Sequence, residues 1–342
     1  MATAPVAPPA PAPRPAALAP GRAMLADDAV AVTTPDAGVA IDAAAMPAVL
    51  PAWRLDAHTD ADALAPLRVG EVTRVKFNRG GSSLSLRLEF DNGARAAFKP
   101  EQVHPQSNPR REIAAFRVDR LLGLDRVPPA IGRTFAMATL RAAIASDERG
   151  RAFKLDDEAV PRKDGLRGEL SWWIPIIKDA KVDGFRIDET DGIVTWKRML
   201  RPGTAIPAED YDVVHQISDM VTFDFLLDNT DRWSGNNAKV SEDGKVLYFM
   251  DNTMAFTSNP KGHRKSHIYL NRVQTFSRRL IDRIRALTED ELRAAVADDV
   301  EPFPMLLTDR EIGALMARRD LLISYVDDLI AEHGEAAILA FP

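Results

Sequence analysis

The 342-residue chain contains no cysteine, which excludes disulfides, thiolate metal ligands and cysteine nucleophiles. No apolar run approaches the roughly 20 residues of a bilayer-spanning helix, so we expect no transmembrane segment. The chain also lacks a basic excess, because 44 Lys and Arg stand against 50 Asp and Glu. Since affinity for a phosphate backbone needs a basic face, a general nucleic-acid binder is not expected. The remaining composition, 46% hydrophobic and 27% charged, is typical of a globular protein with a core.

Proline is concentrated at the start of the chain. Seven of the 24 prolines lie within the first 20 residues, where they alternate with alanine. Since proline lacks the amide donor that helices and strands need, the sequence predicts a disordered tail or linker over 1–50. This segment has no basic start followed by an apolar run, so it does not match a signal peptide as written. The folded domain is predicted over 51–342.

Hydrophobic periodicity separates a strand-rich first half from a helical second half. Apolar and polar residues alternate over 71–78 and 84–90, and Asp91-Asn92-Gly93 predicts a hairpin turn into a third strand at 94–98. Further strands are predicted at 131–140, 171–178 and 245–250. Helical spacing predicts helices at 110–123, 210–227, 276–287 and 309–332.

Strands followed by helices favour an α+β architecture with two lobes. We expect an antiparallel-sheet N-lobe over about 60–200 and a mostly helical C-lobe over about 205–342. In such an arrangement a ligand would lie in the cleft between the lobes, where residues from both halves of the chain meet.

A polar loop between the predicted helix 210–227 and the predicted strand 245–250 carries most of the chemical signal. Asp231 and Asn236 are five positions apart there, which is the spacing of the aspartate and asparagine in a kinase catalytic loop. In that loop the aspartate orients the attacking hydroxyl and the asparagine holds a metal ion. Asp251 follows the strand, at the place of the metal-binding aspartate. Oxygen ligands before and after the predicted strand, at Asn236 and Asp251, suit a divalent ion that bridges phosphates.

The first half of the chain supplies the other parts of a phosphoryl-transfer site. Gly80, Gly81 and Ser82 belong to a turn with little side-chain bulk, whose backbone amides can approach phosphate oxygens. Lys99 ends the third strand, where a lysine can pair with the α- and β-phosphates of ATP. Glu112 lies in the next helix and can hold that lysine by an ion pair. These parts follow one another in kinase order, and together they predict a kinase-like fold.

Each part also has a purely structural interpretation. A Gly-Gly-Ser-Ser turn is more often just a hairpin, and Lys99 or Glu112 alone is commonly a solvated surface charge. The loop rich in Asp and Asn suits an ordinary polar turn, or a calcium loop, although it lacks the terminal glutamate of a calcium loop. The order of the parts along the chain favours the kinase interpretation.

Longer strings around these residues are also informative. They are Ala97-Phe98-Lys99-Pro100, the helix from Glu112 to Gly123 with the later Pro128-Pro129, residues 219–232, and Asp251-Asn252. In this order they resemble the lysine motif, the helix with its double proline, the catalytic segment and the metal aspartate of the secretory-pathway kinases called "family with sequence similarity twenty", and of their relative four-jointed. The resemblance covers residues 70–256.

The resemblance implies an atypical protein-kinase-like fold that uses ATP with Mn²⁺ or Mg²⁺. It implies that Lys99 binds the phosphates, that Glu112 supports Lys99, that Asp231 is the catalytic base and that Asp251 binds the metal. Acceptors in this family are serine or threonine hydroxyls of proteins, or sugar hydroxyls. Because its members belong to the secretory pathway, the resemblance also implies an extracytoplasmic location.

The substrate is the part that the sequence determines least. Lys and Arg cluster over 261–285, which indicates either an acidic protein or glycan acceptor, or a solvated helix face. Trp233 is a candidate substrate contact, and with Ser234 it replaces two histidines that are usual in the family. Two alternatives stay open: a pseudokinase that acts as a regulatory or scaffolding partner, and a small-molecule kinase related by fold alone.

Overall fold

The computed structural model describes residues 59–80, 82–234 and 237–342. The tail predicted over 1–50 lies outside the described residues, as do Gly81 and Asn236. Within the described ranges, each helix is too short or too polar to cross a bilayer.

An antiparallel sheet of five strands forms the first half of the described chain, after one short helix. The elements are α1 Asp60–Val69, β1 Val72–Phe77, β2 Leu86–Phe90, β3 Arg95–Pro100, β4 Ala130–Phe135 and β5 Leu166–Trp172. Their spatial order is β1-β2-β3-β5-β4, and neighbouring strands are antiparallel. The predicted meander is confirmed, because alternation places Leu86, Leu88 and Phe90 on the buried face of β2.

The helix α2, Pro109–Leu122, contacts β4 and β5 of this sheet. Proline suits its first position because an amide there would have no partner within the helix. Gly123 ends the helix with φ of 70°, a conformation that glycine adopts without a steric cost. Ile113 and Phe116 are buried, as the predicted apolar face requires.

The strand predicted over 131–140 is too long. The strand β4 ends at Phe135, and Met137–Ala142 forms the short helix α3. The residues after Phe135 include Ala, Met, Leu and Arg, which have high helix propensity, and they leave the sheet as a helix. A 3₁₀ helix at Ser146–Arg151 and the helix α4, Phe153–Glu158, follow before β5.

The strand predicted over 171–178 is in fact divided between two sheets. The strand β5 ends at Trp172, and β6, Ile177–Asp179, pairs with a strand of the second half. Pro175 lies between them, and a proline interrupts the hydrogen-bond ladder because it has no amide hydrogen. This segment joins the two halves of the chain.

The second half is mostly helical and is built around α6, Ala208–Leu227, most of whose residues are buried. The predicted helices at 210–227, 276–287 and 309–332 correspond to α6, to Arg278–Ala286 and to Asp309–His333. The strand predicted at 245–250 is shorter in the structure, Leu247–Phe249. The elements after β6 are β7 Lys181–Val182, β8 Phe185–Arg186, α5 Thr190–Met199, α6, β9 Ala238–Ser241, β10 Leu247–Phe249, α7 Arg264–Leu270, α8 Arg278–Ala286, α9 Glu289–Ala297, α10 Asp309–His333 and α11 Glu335–Ile338. The predicted α+β class with an antiparallel-sheet half and a helical half is confirmed.

Candidate active site

Lys99, Glu112 and Asp251 meet at one point of the fold. Lys99 lies on β3, and its Nζ donates to Glu112 Oε1 at 2.7 Å and to Asp251 Oδ1 at 2.8 Å. Glu112 comes from the first turn of α2, and its other oxygen accepts a hydrogen bond from the backbone N–H of Asn252 at 2.9 Å. The structure thus brings together three of the site residues that the sequence predicted, from a strand, a helix and the segment after β10.

The surrounding charges keep Lys99 protonated and Asp251 ionised. Burial by itself would lower the pKa of Lys99, but the carboxylates of Asp251, Glu112 and Glu169 outweigh this effect and raise the pKa. Burial likewise opposes ionisation of Asp251, yet the neighbouring Lys99 lowers the pKa of that carboxyl. A cationic lysine beside an anionic aspartate is the charge state that phosphate and metal binding require.

Glu169 is a further carboxyl group at this point, which the sequence analysis did not single out. It lies on β5 directly across from Lys99 and is buried. Burial, with the nearby Glu112, raises its pKa well above the ordinary value, although Lys99 opposes the shift. Ser171 Oγ donates a hydrogen bond to it. A glutamate on a strand usually faces solvent, so no local pattern indicates its burial.

Hydrogen bonds within the loop after α6 hold Asp231 in place. Its backbone N–H donates to Asn229 Oδ1 at 3.1 Å, and its carboxylate accepts from Ser234 Oγ at 2.9 Å and from Asn237 Nδ2 at 3.2 Å. Asn229 Nδ2 donates in turn to the backbone oxygen of Asp251 at 3.2 Å. The predicted catalytic aspartate is therefore tied to the segment that carries the predicted metal aspartate.

Arg232 fixes this loop from behind and is fully buried. Its guanidinium donates to both carboxylate oxygens of Asp224 at 3.1 Å and to Asn252 Oδ1 at 2.8 Å. It also donates to the backbone oxygen of Met250. Burial raises the pKa of Asp224 to about 6, against the opposing effect of Arg232. One arginine thus joins α6, the loop that carries Asp231 and the end of β10.

We expect Asp224→Asn to lower the free energy of unfolding by about 3–5 kcal/mol, because it leaves the buried Arg232 without its carboxylate. Denaturant unfolding followed by circular dichroism measures this effect. The matched control is Asp156→Asn, which removes an aspartate from the exposed pair with Arg141 at 2.7 Å. It should cost less than about 1 kcal/mol. Equal losses in both variants would contradict a structural role for the buried pair.

A cleft of about 580 Å³ lies beside these residues, a size typical of small-molecule sites. Lys99 and Asp251 line it, together with residues of the sheet, of the segment after β5 and of β9. Of the predicted phosphate-binding turn, Gly80 lines the cleft, whereas Ser82 is exposed and lies outside its lining. The phosphate-binding role of this turn stays a prediction.

The described residues offer few metal ligands. Among them there is no group of three or more His, Asp or Glu side chains placed to share one ion. Asp251 supplies one ionised carboxylate, and Asn237 also lines the cleft, next to the predicted ligand Asn236. Mg²⁺ and similar ions commonly use one or two carboxylates and complete their coordination with water and substrate phosphates. The donors present therefore fit an ion that binds together with a nucleotide.

Solved kinase structures share this fold. A crystal structure of the Golgi casein kinase aligns with a TM-score of 0.62 over 82% of this chain and 79% of that chain, at 16% identity. The same kinase with Mn/ADP bound gives 0.63 over 82% and 78%, at 15% identity. The structure of hydra Fam20 with sugar gives 0.60 over 81% and 90%, at 19% identity. At these identities the likeness establishes the fold alone.

No family model matches the chain. Extracellular serine/threonine protein kinase FAM20C of Homo sapiens is 23% identical over 318 residues, covering 77% of this chain and 53% of that protein. Glycosaminoglycan xylosylkinase of Danio rerio is 24% identical over 320 residues, covering 79% and 75%. Pseudokinase FAM20A of Mus musculus is 25% identical over 317 residues, covering 76% and 56%. The chain is a homologue of the FAM20-type secretory kinases. It spans about half the length of FAM20C and FAM20A.

Asp228 anchors the segment behind the loop that carries Asp231. It ends α6 with φ of 57° and is buried. Its carboxylate accepts from the backbone N–H of His263 at 2.8 Å, from Ser266 Oγ at 2.7 Å and from Thr257 Oγ1, and it lies 2.6 Å from His263 Nδ1. Burial opposes its ionisation, but these donors lower its pKa. The sequence placed Asp228 in the polar loop but gave no sign of partners so far along the chain.

Trp233, the candidate substrate contact, packs against two aromatic side chains of the helical half. Its side chain is only 8% exposed. It stacks on Tyr269 of α7 with ring centroids 4.4 Å apart, and its ring lies 5.4 Å from that of Trp196 of α5. Aromatic burial of this size favours packing over contact with solvent, so Trp233 belongs to the core of the helical half.

The basic segment 261–285 divides into two parts. Three of the four arginines of α8 form ion pairs within the helical half. They are Arg278 with Glu335, Arg283 with Glu291 and Arg285 with Asp327. Lys265, by contrast, lies next to the loop that carries Asp231, where its Nζ donates to Ser234 Oγ at 3.2 Å. The first part of the segment therefore contacts the loop of the predicted catalytic aspartate.

Proposed function

We propose that the chain is an ATP-dependent kinase that transfers the γ-phosphate to a hydroxyl group of a protein serine or threonine, or of a glycan. The observation that carries this proposal is Lys99, bound to both Glu112 and Asp251 at the wall of a nucleotide-sized cleft. A lysine is rarely buried between carboxylates unless the arrangement has a function. The Mn/ADP-bound Golgi casein kinase, which has this fold, supports the choice of ATP with Mn²⁺ or Mg²⁺.

We propose residues 51–342 as the kinase domain, with an N-lobe over about 60–200, a C-lobe over about 205–342, and the tail 1–50 outside it. An extracytoplasmic location is part of the proposal, because one relative is an extracellular kinase.

In the proposed mechanism the protein mainly positions groups and neutralises charge. ATP lies in the cleft, with backbone amides near Gly80 and Gly81 covering its phosphates and Lys99 pairing with them. Asp251, with the amide of Asn236, would hold the divalent ion, which when bound offsets the negative charge of the phosphates.

Asp231 performs the step at the acceptor. Its carboxylate orients the acceptor hydroxyl and takes its proton as the oxygen attacks the γ-phosphorus. The bond from that phosphorus to the bridging oxygen of ADP breaks in line with the attack, and ADP leaves with the displaced electron pair. Ser234 and Asn237 hold the carboxylate in place for this attack.

The acceptor is proposed to enter through a second cavity of about 320 Å³, which shares no lining residue with the nucleotide cleft. Thr230 and Thr253 line it, and these residues stand next to the catalytic loop and the metal aspartate. Arg111 and His263 line it as well, and no carboxylate is among its described lining residues. A lining that includes the guanidinium of Arg111 and no carboxylate suits an acidic acceptor.

Transfer of labelled γ-phosphate from ATP tests the proposal, with Mn²⁺ or Mg²⁺ and a panel of acceptors. The panel pairs serine peptides that carry glutamates with the same peptides carrying glutamines, and an anionic glycan with a neutral one. We expect metal-dependent transfer that is faster to the acidic member of a pair. Nucleotide binding without transfer to any acceptor would favour a pseudokinase, as the relative FAM20A is described. Transfer to small molecules alone would favour the small-molecule kinase.

A further inference from the structure

The first turn of α2 is held by a carboxylate from the C-terminal helix α10. Glu311 lies in the first turn of α10 and is 3% exposed. Its two oxygens accept from the Arg110 guanidinium at 2.8 Å and 2.9 Å, and one of them accepts from Arg111 at 3.0 Å. These arginines directly precede Glu112, the residue that pairs with Lys99. A buried carboxylate outside the nucleotide cleft thus holds the two residues that precede Glu112 in the first turn of α2.

Glu311 also belongs to the capping box of α10, in which Thr308 is the N-cap residue and Glu311 is the third residue of the helix. It accepts from the backbone N–H and from Oγ1 of Thr308 at 2.8 Å and 2.9 Å, and Thr308 Oγ1 accepts from the backbone N–H of Glu311. Arg110 also donates to the backbone oxygen of Leu306, just before α10. Burial opposes ionisation of Glu311, but Arg110 and Thr308 lower its pKa to about 2. The start of α10 and the start of α2 are therefore joined by one charged group.

A second contact holds α2 farther along. Arg117 of α2 donates to Asp299 at 3.3 Å, in the segment between α9 and α10, and Asp299 also accepts from Arg68 of α1. The helix α9 packs against α2. The helix that carries Glu112 is thus fixed to the C-terminal part of the chain both at its first turn and near its middle.

We propose that Glu311 is a positioning residue for phosphoryl transfer, because its hold on Arg110 and Arg111 keeps Glu112 paired with Lys99. The inference rests on the nucleotide site proposed above. Glu311 does not line the nucleotide cleft, so its effect on ATP is indirect. Removing it should allow the first turn of α2 to move and should weaken nucleotide binding, even where the fold is retained.

Calorimetric titration of the full chain with Mn·ATP tests this inference on Glu311→Gln and Arg110→Gln. Arg110→Gln leaves the hydrogen bonds between Glu311 and Thr308 in place. The interaction that both variants weaken is therefore the one between Glu311 and Arg110 at the start of α2. We expect the dissociation constant to rise by about 5–150-fold in each, the usual range of coupling between sites. The matched control is Glu291→Gln, which makes the same change at the same position of the capping box that starts α9, where Glu291 contacts Arg283 of α8 and no arginine of α2. It should change the constant less than about twofold.

A double-mutant cycle with Glu112→Gln separates positioning from general destabilisation. If Glu311 acts through Glu112, the effect of Glu112→Gln on the dissociation constant should be much smaller in the Glu311→Gln background than in the wild type. Independent effects, additive within about twofold, would overturn the inference while leaving the nucleotide site intact. No effect of Glu112→Gln in the wild type would overturn the proposed nucleotide site itself, and the inference with it.

Discussion

Replacing Asp231 by asparagine is expected to slow phosphoryl transfer by about 10²–10⁴-fold, the usual contribution of a general base. Asparagine has nearly the same shape and still accepts a hydrogen bond from Ser234 or Asn237, so the loop should keep its form. It cannot take the proton of the acceptor hydroxyl. Because Asp231 is proposed to touch the acceptor and not ATP, the affinity for nucleotide should change little.

Single-turnover transfer of labelled phosphate measures the first effect, and calorimetric titration with Mn·ATP measures the second. Asp243→Asn is the matched control, since Asp243 is also an aspartate in a polar turn, where it accepts from Ser241 Oγ and from the backbone N–H of Lys245. It lies in the hairpin between β9 and β10 and should leave transfer unchanged. Full transfer by the Asp231 variant would mean that another group orients the hydroxyl, and the mechanism proposed here would be wrong.

The parts of the site that could be predicted from the sequence are those set by local pattern. Lys99 ends a strand that alternation defines, and Glu112 lies near the start of a helix that follows a proline-marked boundary. Asp251 comes directly after a short apolar strand. Each position depends on residues within about ten places along the chain, where periodicity and turn chemistry act. The pairing of these three residues then follows from the order of elements in a two-lobed fold.

Contacts between distant segments could not be predicted in this way. Asp228 meets His263, which is 35 residues away, and Glu311 meets Arg110, which is 201 residues away. Neither carboxylate differs in its neighbourhood from an ordinary surface residue, because its burial depends on which helices pack together. Trp233 shows the same limit, since its polar neighbours suggest exposure while its packing depends on Tyr269.

The ends of the strands predicted at 131–140 and 171–178 were wrong because local periodicity is ambiguous there. Periodicity over 131–140 fits a strand as well as a short helix, and only the packing of the sheet ends β4 at Phe135. The apolar run over 171–178 reads as one strand, but it contains the end of β5, which pairs with β3, and the start of β6, which pairs with β9. Pro175 was the local signal of that change.

Replacing Asp251 by alanine is expected to abolish metal-dependent turnover and the metal-dependent part of ATP binding. Among the described residues, the ionised carboxylate of Asp251 is the predicted metal ligand, and it lies beside Lys99. For the wild type, ATP with Mn²⁺ at a hundredfold excess over its dissociation constant should stabilise the fold by about 2.7 kcal/mol. Thermal unfolding with ATP, with and without Mn²⁺, measures this stabilisation and its loss in the variant.

The control for this experiment is Asp147→Ala, which also removes an aspartate from a lysine, since Asp147 Oδ2 lies 3.2 Å from Lys76 Nζ outside the cleft. It should keep the full metal-dependent shift.

Lys99 retains Glu112 in the Asp251 variant, so a small shift with ATP alone should survive through the lysine and the glycine turn. That pattern separates the two contributions to nucleotide binding: the lysine acts without metal, whereas Asp251 acts through it. A wild-type shift that Mn²⁺ and Mg²⁺ leave unchanged would contradict a metal role for Asp251, and loss of the shift in both variants would point to damage to the fold.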